Sequence, residues 1–340
     1  MISSERKWRV ELDSYLVRRS QLSSFGRPVR THYKATCIDV DIDPDWDALV
    51  TSTDGGDLSQ TTLWALSRKA LGFRAYRISV VDSDDNPVGA CLLYAKKLAP
   101  RIWAGSIPRG PLMFVDRPEA SSAVIRKIAE LSSQQGIRFL VLQPPEGAAV
   151  LDQAANAAGF RTGVPSVAPE ATIRLDLRQS DAELLKSMSS MRRRNIRKAI
   201  NSRLEIVQDQ DITAFHRLHT ATAERQGFVP ISLRGLQAQY EFLAPSGLCM
   251  MFIARYEGVP VAGLWLTRFA GTVTFKLAGW DANSAAPPHV NEVLHWTAIQ
   301  WARSQGAHTY DLGGFDRASA EYIVAGGVLT EKFRSSPSFF

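Results

Sequence analysis

A mixed α/β protein made of two copies of one unit is what the amino-acid sequence predicts, and three observations carry that reading. A length of 340 residues exceeds what one hydrophobic core usually serves and favours two domains. A composition of 45% hydrophobic and 22% charged residues excludes disordered, collagen-like and disulfide-scaffold chains. One pattern is also written twice, its marks about 170 residues apart: Pro87 with Pro260, Gly136 with Gly306, and Gly159 with Gly327.

The elements follow in order. Residues 75–94 (AYRISVVDSDDNPVGACLLY) and 252–267 (FIARYEGVPVAGLWLT) each read as an apolar strand, a polar turn and a Pro-Val strand, hence a hairpin. SSQQGIRFLVLQ (132–143) answers ARSQGAHTYDLG (302–313), each a helix end, a glycine cap and a strand. ANAAGF (155–160) answers IVAGGV (323–328), a second helix end before a strand. The order hairpin, strand, helix, strand, helix, strand implies a mixed sheet with helices packed on it, not a doubly wound dinucleotide fold. EATIRLDL (170–177) reads as the closing strand of the first copy, which places the domains at 1–177 and 178–340, the last strand being free to pack back on the first domain. Residues 180–203 read as one helix capped by Ser180 or Asp181, with Leu185, Met188, Ile196, Ala199 and Ile200 on one face. A strand (LEIVQ) and helices at 211–227 and 231–244 open the second copy. This element order resembles the GNAT acyltransferase fold, in which two central strands splay apart and leave a slot for an acyl donor or acceptor.

No apolar run reaches the length of a membrane span, and the N-terminus has no secretory h-region, so the expected location is the cytoplasm. Cys37, Cys91 and Cys249 have no ligand spacing and read as buried thiols; the six histidines have no metal spacing, so no metal is expected. The net charge of +6 is mild, but Arg192, Arg193, Arg194, Arg197 and Lys198 put five cations into seven residues with no local carboxylate. Such a helix suits successive phosphates of a tRNA or a diphosphate; the alternative is a solvated face. Trp280, Trp296 and Trp301 read as core side chains.

LLKSMSSMRRRNIRKAIN (184–201) resembles the helix that enters the second domain in the FemABX family of tRNA-dependent aminoacyl transferases. LSQTTLWALSRKALGF (58–73) resembles that family's opening Gln-x-x-x-Trp helix, SIPRGPLMF (106–114) its Pro-Arg-Gly-Pro turn, and TYDLGGF (309–315) its Tyr-Asp-Phe-Gly-Gly strand end. The resemblance implies twin GNAT-like domains that move an aminoacyl group from charged tRNA to an amine. The acceptor would be a nucleotide- or lipid-linked cell-wall peptide or another amine, with peripheral contact at the inner membrane face and no cofactor beyond the co-substrate. By position it implies Lys332, five residues after Gly327, as the ammonium that stabilises the reaction's oxyanion, where the alternative is a surface lysine beside Glu331. Arg68, and either Arg225 or Arg234, become candidates for the acceptor's diphosphate. Arg109 is a turn residue near the cleft, and Asp311 ends a strand aimed at the cleft or caps its turn. Residues 192–198 are the expected tRNA contact. The competing reading is an acyl-CoA-dependent N-acyltransferase using acetyl-CoA, although neither 114–127 nor 281–296 carries the glycine-rich pyrophosphate loop such enzymes use. A third is a non-catalytic module of the same fold.

Overall fold

A computed structural model describes residues 8–10, 15–18, 33–162, 167–200, 202–284, 286, 289–315 and 317–327. Strand β1 (Trp8–Val10) belongs with the C-terminal unit, which comprises Met1–Val10 and Ala171–Phe340; Glu11–Glu170 form the N-terminal unit. Among the described residues no helix is long and apolar enough to cross a membrane.

The N-terminal unit runs β2 (Tyr15–Arg18), β3 (Lys34–Asp39), α1 (Pro44–Ser52), α2 (Thr62–Lys69), β4 (Arg74–Val81), β5 (Pro87–Ala99), β6 (Ile102–Pro108), β7 (Leu112–Met113), α3 (Pro118–Gln134), β8 (Ile137–Gln143) and α4 (Ala149–Ala157). Its sheet has the order β2-β8-β6-β5-β4-β3, antiparallel except for the β6–β8 pair, with β7 returning to β5. Local chemistry starts the helices: Asp43 accepts from the Trp46 N–H at 2.9 Å ahead of Pro44, and Thr61 caps α2. Ile78, Leu93, Ile107, Ile128 and Leu140 are fully buried where α3 and α4 cover one face.

The C-terminal unit repeats the plan with β9 (Ala171–Asp176), α5 (Asp181–Ser187), α6 (Ser190–Ile200), β10 (Leu204–Gln208), α7 (Ile212–Gln226), α8 (Leu233–Leu243), β11 (Cys249–Tyr256), β12 (Val259–Phe269), β13 (Thr272–Trp280), α9 (Val290–Ser304), β14 (Thr309–Phe315) and α10 (Arg317–Val324). The order β1-β9-β14-β13-β12-β11-β10 matches the first sheet strand for strand, with one added edge strand. Helix α7 lies so close on β13 that a Cβ at Gly279 would meet the His219 backbone nitrogen at 2.5 Å, so only glycine serves there.

Two expectations shift. Residues 171–176 pair with β14 (Thr309↔Asp176, Tyr310↔Leu175) and with β1, so the boundary falls after 170 rather than 177. The single helix expected over 180–203 is two. Ser180 and Glu183 form a capping box for α5, and the chain then turns extended at Met188, ψ 157°, before α6 begins. Leu184 and Ile196 therefore enter the core while Ile200 is exposed, because the break rotates the second segment's apolar stripe. The last strand expected to pack back on the first domain lies outside the described residues.

Candidate active site

The two sheets differ where a slot could open. In the C-terminal unit, β13 runs beside β14 only through Thr272↔Thr309, Val273↔Tyr310 and Thr274↔Asp311. Beyond that point β13 stays with β12, through a bulge at Phe275 to Leu277, while β14 stays with β9 through Gly314↔Thr172, Gly313 still passing close to the Phe275 carbonyl. The parallel strands thus part, leaving a wedge lined at its apex by Phe275, Tyr310 and, from α9, His295. The Phe275 ring meets the His295 ring edge-on at 4.9 Å, and His295 Nδ1 lies 3.0 Å from the Tyr310 hydroxyl.

In the N-terminal unit the equivalent pair stays together, from Trp103↔Ile137 to Pro108↔Gln143. The gap opens instead between β5 and β6 beyond Tyr94↔Ser106, and the fully buried Gln60 fills it. Its Nε2 donates to the Pro108 carbonyl at 2.7 Å and to that of Leu92 at 3.4 Å, and its Oε1 accepts the Leu92 N–H at 2.7 Å. Gly110 passes so near that a Cβ would sit 3.1 Å from the Gln60 amide. Among the described residues, therefore, only the C-terminal unit parts its parallel strands into a wedge.

The cations expected to act together on α6 separate into three roles. Arg193 donates to the carbonyls of Leu185 (3.3 Å), Lys186 (3.2 Å) and Met188, and so caps the end of α5. Arg192 lies on the helix face shared by buried Asn195 and Ile196, near enough to His295 to depress its basicity. Arg194, Arg197 and Lys198 share the exposed outer face, and no carboxylate among the described residues pairs with them.

Burial foremost, with Arg192 second, pushes the His295 imidazole down to about 4, so it is uncharged at neutral pH. The unfolded chain titrates near 6.5 and so binds a proton that the folded one lacks between the two values. Stability is complete above 6.5 and falls as pH drops toward 4, by about 2 kcal/mol at pH 5. Thermal melts at pH 5 and 7 should show this loss in the native protein and a smaller one in His295→Gln, which removes the titration but retains a partner for Tyr310.

The remaining candidates occupy separate places. Asp311 is buried, and its carboxylate is used within the sheet: it accepts from the Thr172 hydroxyl, from the Gly313 N–H at 2.8 Å and from Arg174 Nε at 3.0 Å. Arg225 lies over the Trp280 ring at 4.6 Å, at the free end of β13, and donates to the Trp280 carbonyl at 3.3 Å. Arg234 is exposed in the first turn of α8. Arg109, at φ 53°, donates to the Pro169 carbonyl at 2.8 Å. Arg68 is half-buried over the Phe73 ring at 4.0 Å, and desolvation lowers its pKa, with no carboxylate partner among the described residues. Lys332 lies outside the described residues. Sequence reading missed the plugging role of Gln60, although Gln60 opens the Gln-x-x-x-Trp motif, and it missed His295, which no motif marks. Among the described residues no group of three or more His, Cys, Asp or Glu could hold a metal ion.

A meandering antiparallel sheet joined to one parallel strand that then splays away is the frame of a GNAT-type acyltransferase, and residues 186–322 match the acetyltransferase (GNAT) domain. Residues 43–240 match the FemAB family across more than half the chain, and the protein belongs to that family. It is an acyltransferase of two tandem GNAT-like domains. It is 22% identical over 351 residues to the lipid II:glycine glycyltransferase of Staphylococcus aureus (strain MRSA252), covering 79% of this chain and 82% of that protein. The crystal structure of FemX superposes with a TM-score of 0.70 at 20% identity, covering 82% of this chain and 89% of that one. A tandem GNAT protein from the clavulanic acid biosynthesis pathway gives a TM-score of 0.51 at 12% identity, over 86% and 94%.

Proposed function

We propose that the protein transfers an amino acid from an aminoacyl-tRNA to an amine of a peptidoglycan-precursor peptide. The observation that carries this reading is the wedge between β13 and β14 beside a helix whose outer cations have no carboxylate partners among the described residues. Similarity along 79% of the chain to a lipid II:glycine glycyltransferase supports the acceptor class. In the reaction the amine nitrogen attacks the ester carbonyl. The carbon–nitrogen bond forms, the bond to the tRNA ribose oxygen breaks, and the proton lost by the amine is taken up by the leaving oxygen. Phe275, Tyr310 and uncharged His295 supply an apolar floor on which a developing oxyanion is poorly hydrated. A nearby ammonium then counts for more than it would in water, and Lys332 is the residue proposed to supply it. Arg225 by the free end of β13, or Arg234, would hold the acceptor's anionic groups, Arg68 being a separate candidate for the same role, while Arg194, Arg197 and Lys198 would hold tRNA phosphates.

The test incubates the protein with charged tRNA and, separately, with acetyl-CoA, each with a peptidoglycan precursor. Consumption of the aminoacyl group that RNase abolishes is expected; transfer from acetyl-CoA with none from tRNA would sink the reading. Replacing Arg194, Arg197 and Lys198 together by alanine should lower the slope of log affinity against log salt for tRNA by about 2 to 3, and affinity at moderate salt by about 10- to 100-fold. Arg193→Ala, which uncaps α5, should leave that slope nearly unchanged.

A further inference from the structure

Segments 58–81 and 86–115 contain no aspartate or glutamate, and strand register gathers Arg74, Lys96, Lys97 and Arg101 at one end of the N-terminal sheet, where the end of β3 brings Asp39, held by Lys69 at 2.9 Å. Arg74 pairs with Ala95, Lys97 with Trp103, and Trp103 with Ile137, so the start of β4, the β5–β6 hairpin and the start of β8 lie side by side. Lys96, Lys97 and Arg101 are exposed there, and none pairs with a carboxylate among the described residues. Between these charges the hairpin presents bare aliphatic surface: Leu98 is 62% exposed and Ile102 37%. Arg138 and Phe139 continue the mixture on β8, both exposed.

We infer that this hairpin end docks on an anionic lipid bilayer, with Leu98 and Ile102 entering the headgroup layer and the surrounding lysines and arginines meeting lipid phosphates. Charge complementarity and exposed aliphatic side chains at a turn both fit that surface. RNA fits less well, because two of the three aromatic rings at this end, Phe73 and Trp103, already carry cations and only Phe139 stands exposed without one among the described residues. Arg68 and Lys96 lie over Phe73, at 4.0 and 5.1 Å, and Arg74 lies over Trp103 at 3.9 Å, so neither ring is presented as an open stacking platform. Leu98 and Ile102 also offer nothing to a phosphate backbone. The docking stands apart from the donor and acceptor proposed above, since it requires neither.

Sedimentation of the full-length protein with vesicles tests it. Binding is expected to vesicles of equal phosphatidylglycerol and phosphatidylcholine but not to pure phosphatidylcholine, and to weaken at 0.5 M salt. Lys97→Glu with Arg101→Glu should weaken it at least about 25-fold, at about fivefold per cation removed. Leu98→Asp should weaken it at unchanged net basic surface elsewhere, and Lys97→Arg should retain it. The inference is overturned if the native protein prefers neither vesicle, or if the glutamate and aspartate variants sediment as the native protein does. It is likewise overturned if the double variant loses tRNA binding while keeping vesicle binding, which would assign the face to RNA.

Discussion

Replacing Gln60 by alanine should lower the stability of the N-terminal unit by about 3–5 kcal/mol and its unfolding midpoint by roughly 10 °C. The side chain is fully buried, and its amide closes the gap between β5 and β6 through the carbonyls of Pro108 and Leu92 and the N–H of Leu92. Truncation leaves these backbone groups without partners and opens a cavity beneath Gly110. Leucine discriminates the two causes. It restores volume but no hydrogen bond, so Gln60→Leu should recover the cavity part of the loss and still cost about 1–3 kcal/mol. A leucine variant of native stability would show that Gln60 is a filler and not a clamp.

The second large effect is expected at Asp311. Its carboxylate binds Thr172, Gly313 and Arg174 at the last residue that β14 pairs with β13, where the β14–β9 register is also interrupted. Asp311→Ala should cost about 3 kcal/mol, because it removes a charged partner of the half-buried Arg174 and leaves the buried Gly313 N–H without its acceptor. Asp311→Asn keeps an acceptor for Gly313 and loses only the charge toward Arg174, so it should cost roughly half as much. In both variants the loss should appear in the unfolding midpoint, with KM for the acceptor changed little once the protein is folded. A raised KM at native stability would make Asp311 a substrate ligand instead, the role that its place at the end of TYDLGG suggested.

Much of the fold was legible because its signals are local. Glycine caps, Pro-Val hairpins and apolar strands repeat at matching positions, and each is a matter of a few neighbouring residues. The candidate site was legible in part. The basic run on α6 stood out by composition, yet helical rotation and the break at Met188 decide that Arg193 serves as a cap, Arg192 faces His295, and only three cations share the outer face. His295 carries no sequence signal, since its low basicity comes from burial by residues far along the chain. The boundary after 170 was likewise hidden, because a strand such as 171–176 reads the same whichever sheet it joins.

By itself the sequence determined that this is a duplicated α/β acyltransferase-like chain, because secondary-structure periodicity and capping act over a turn or two of backbone. Tertiary structure alone decided that the two copies are unequal. Both have a parallel strand pair, but whether the pair parts depends on hydrogen-bond register between strands thirty or more residues apart, and in the first copy the gap beside it, between β5 and β6, is closed by the distant Gln60. The wedge in one copy and the clamp in the other are products of that long-range pairing.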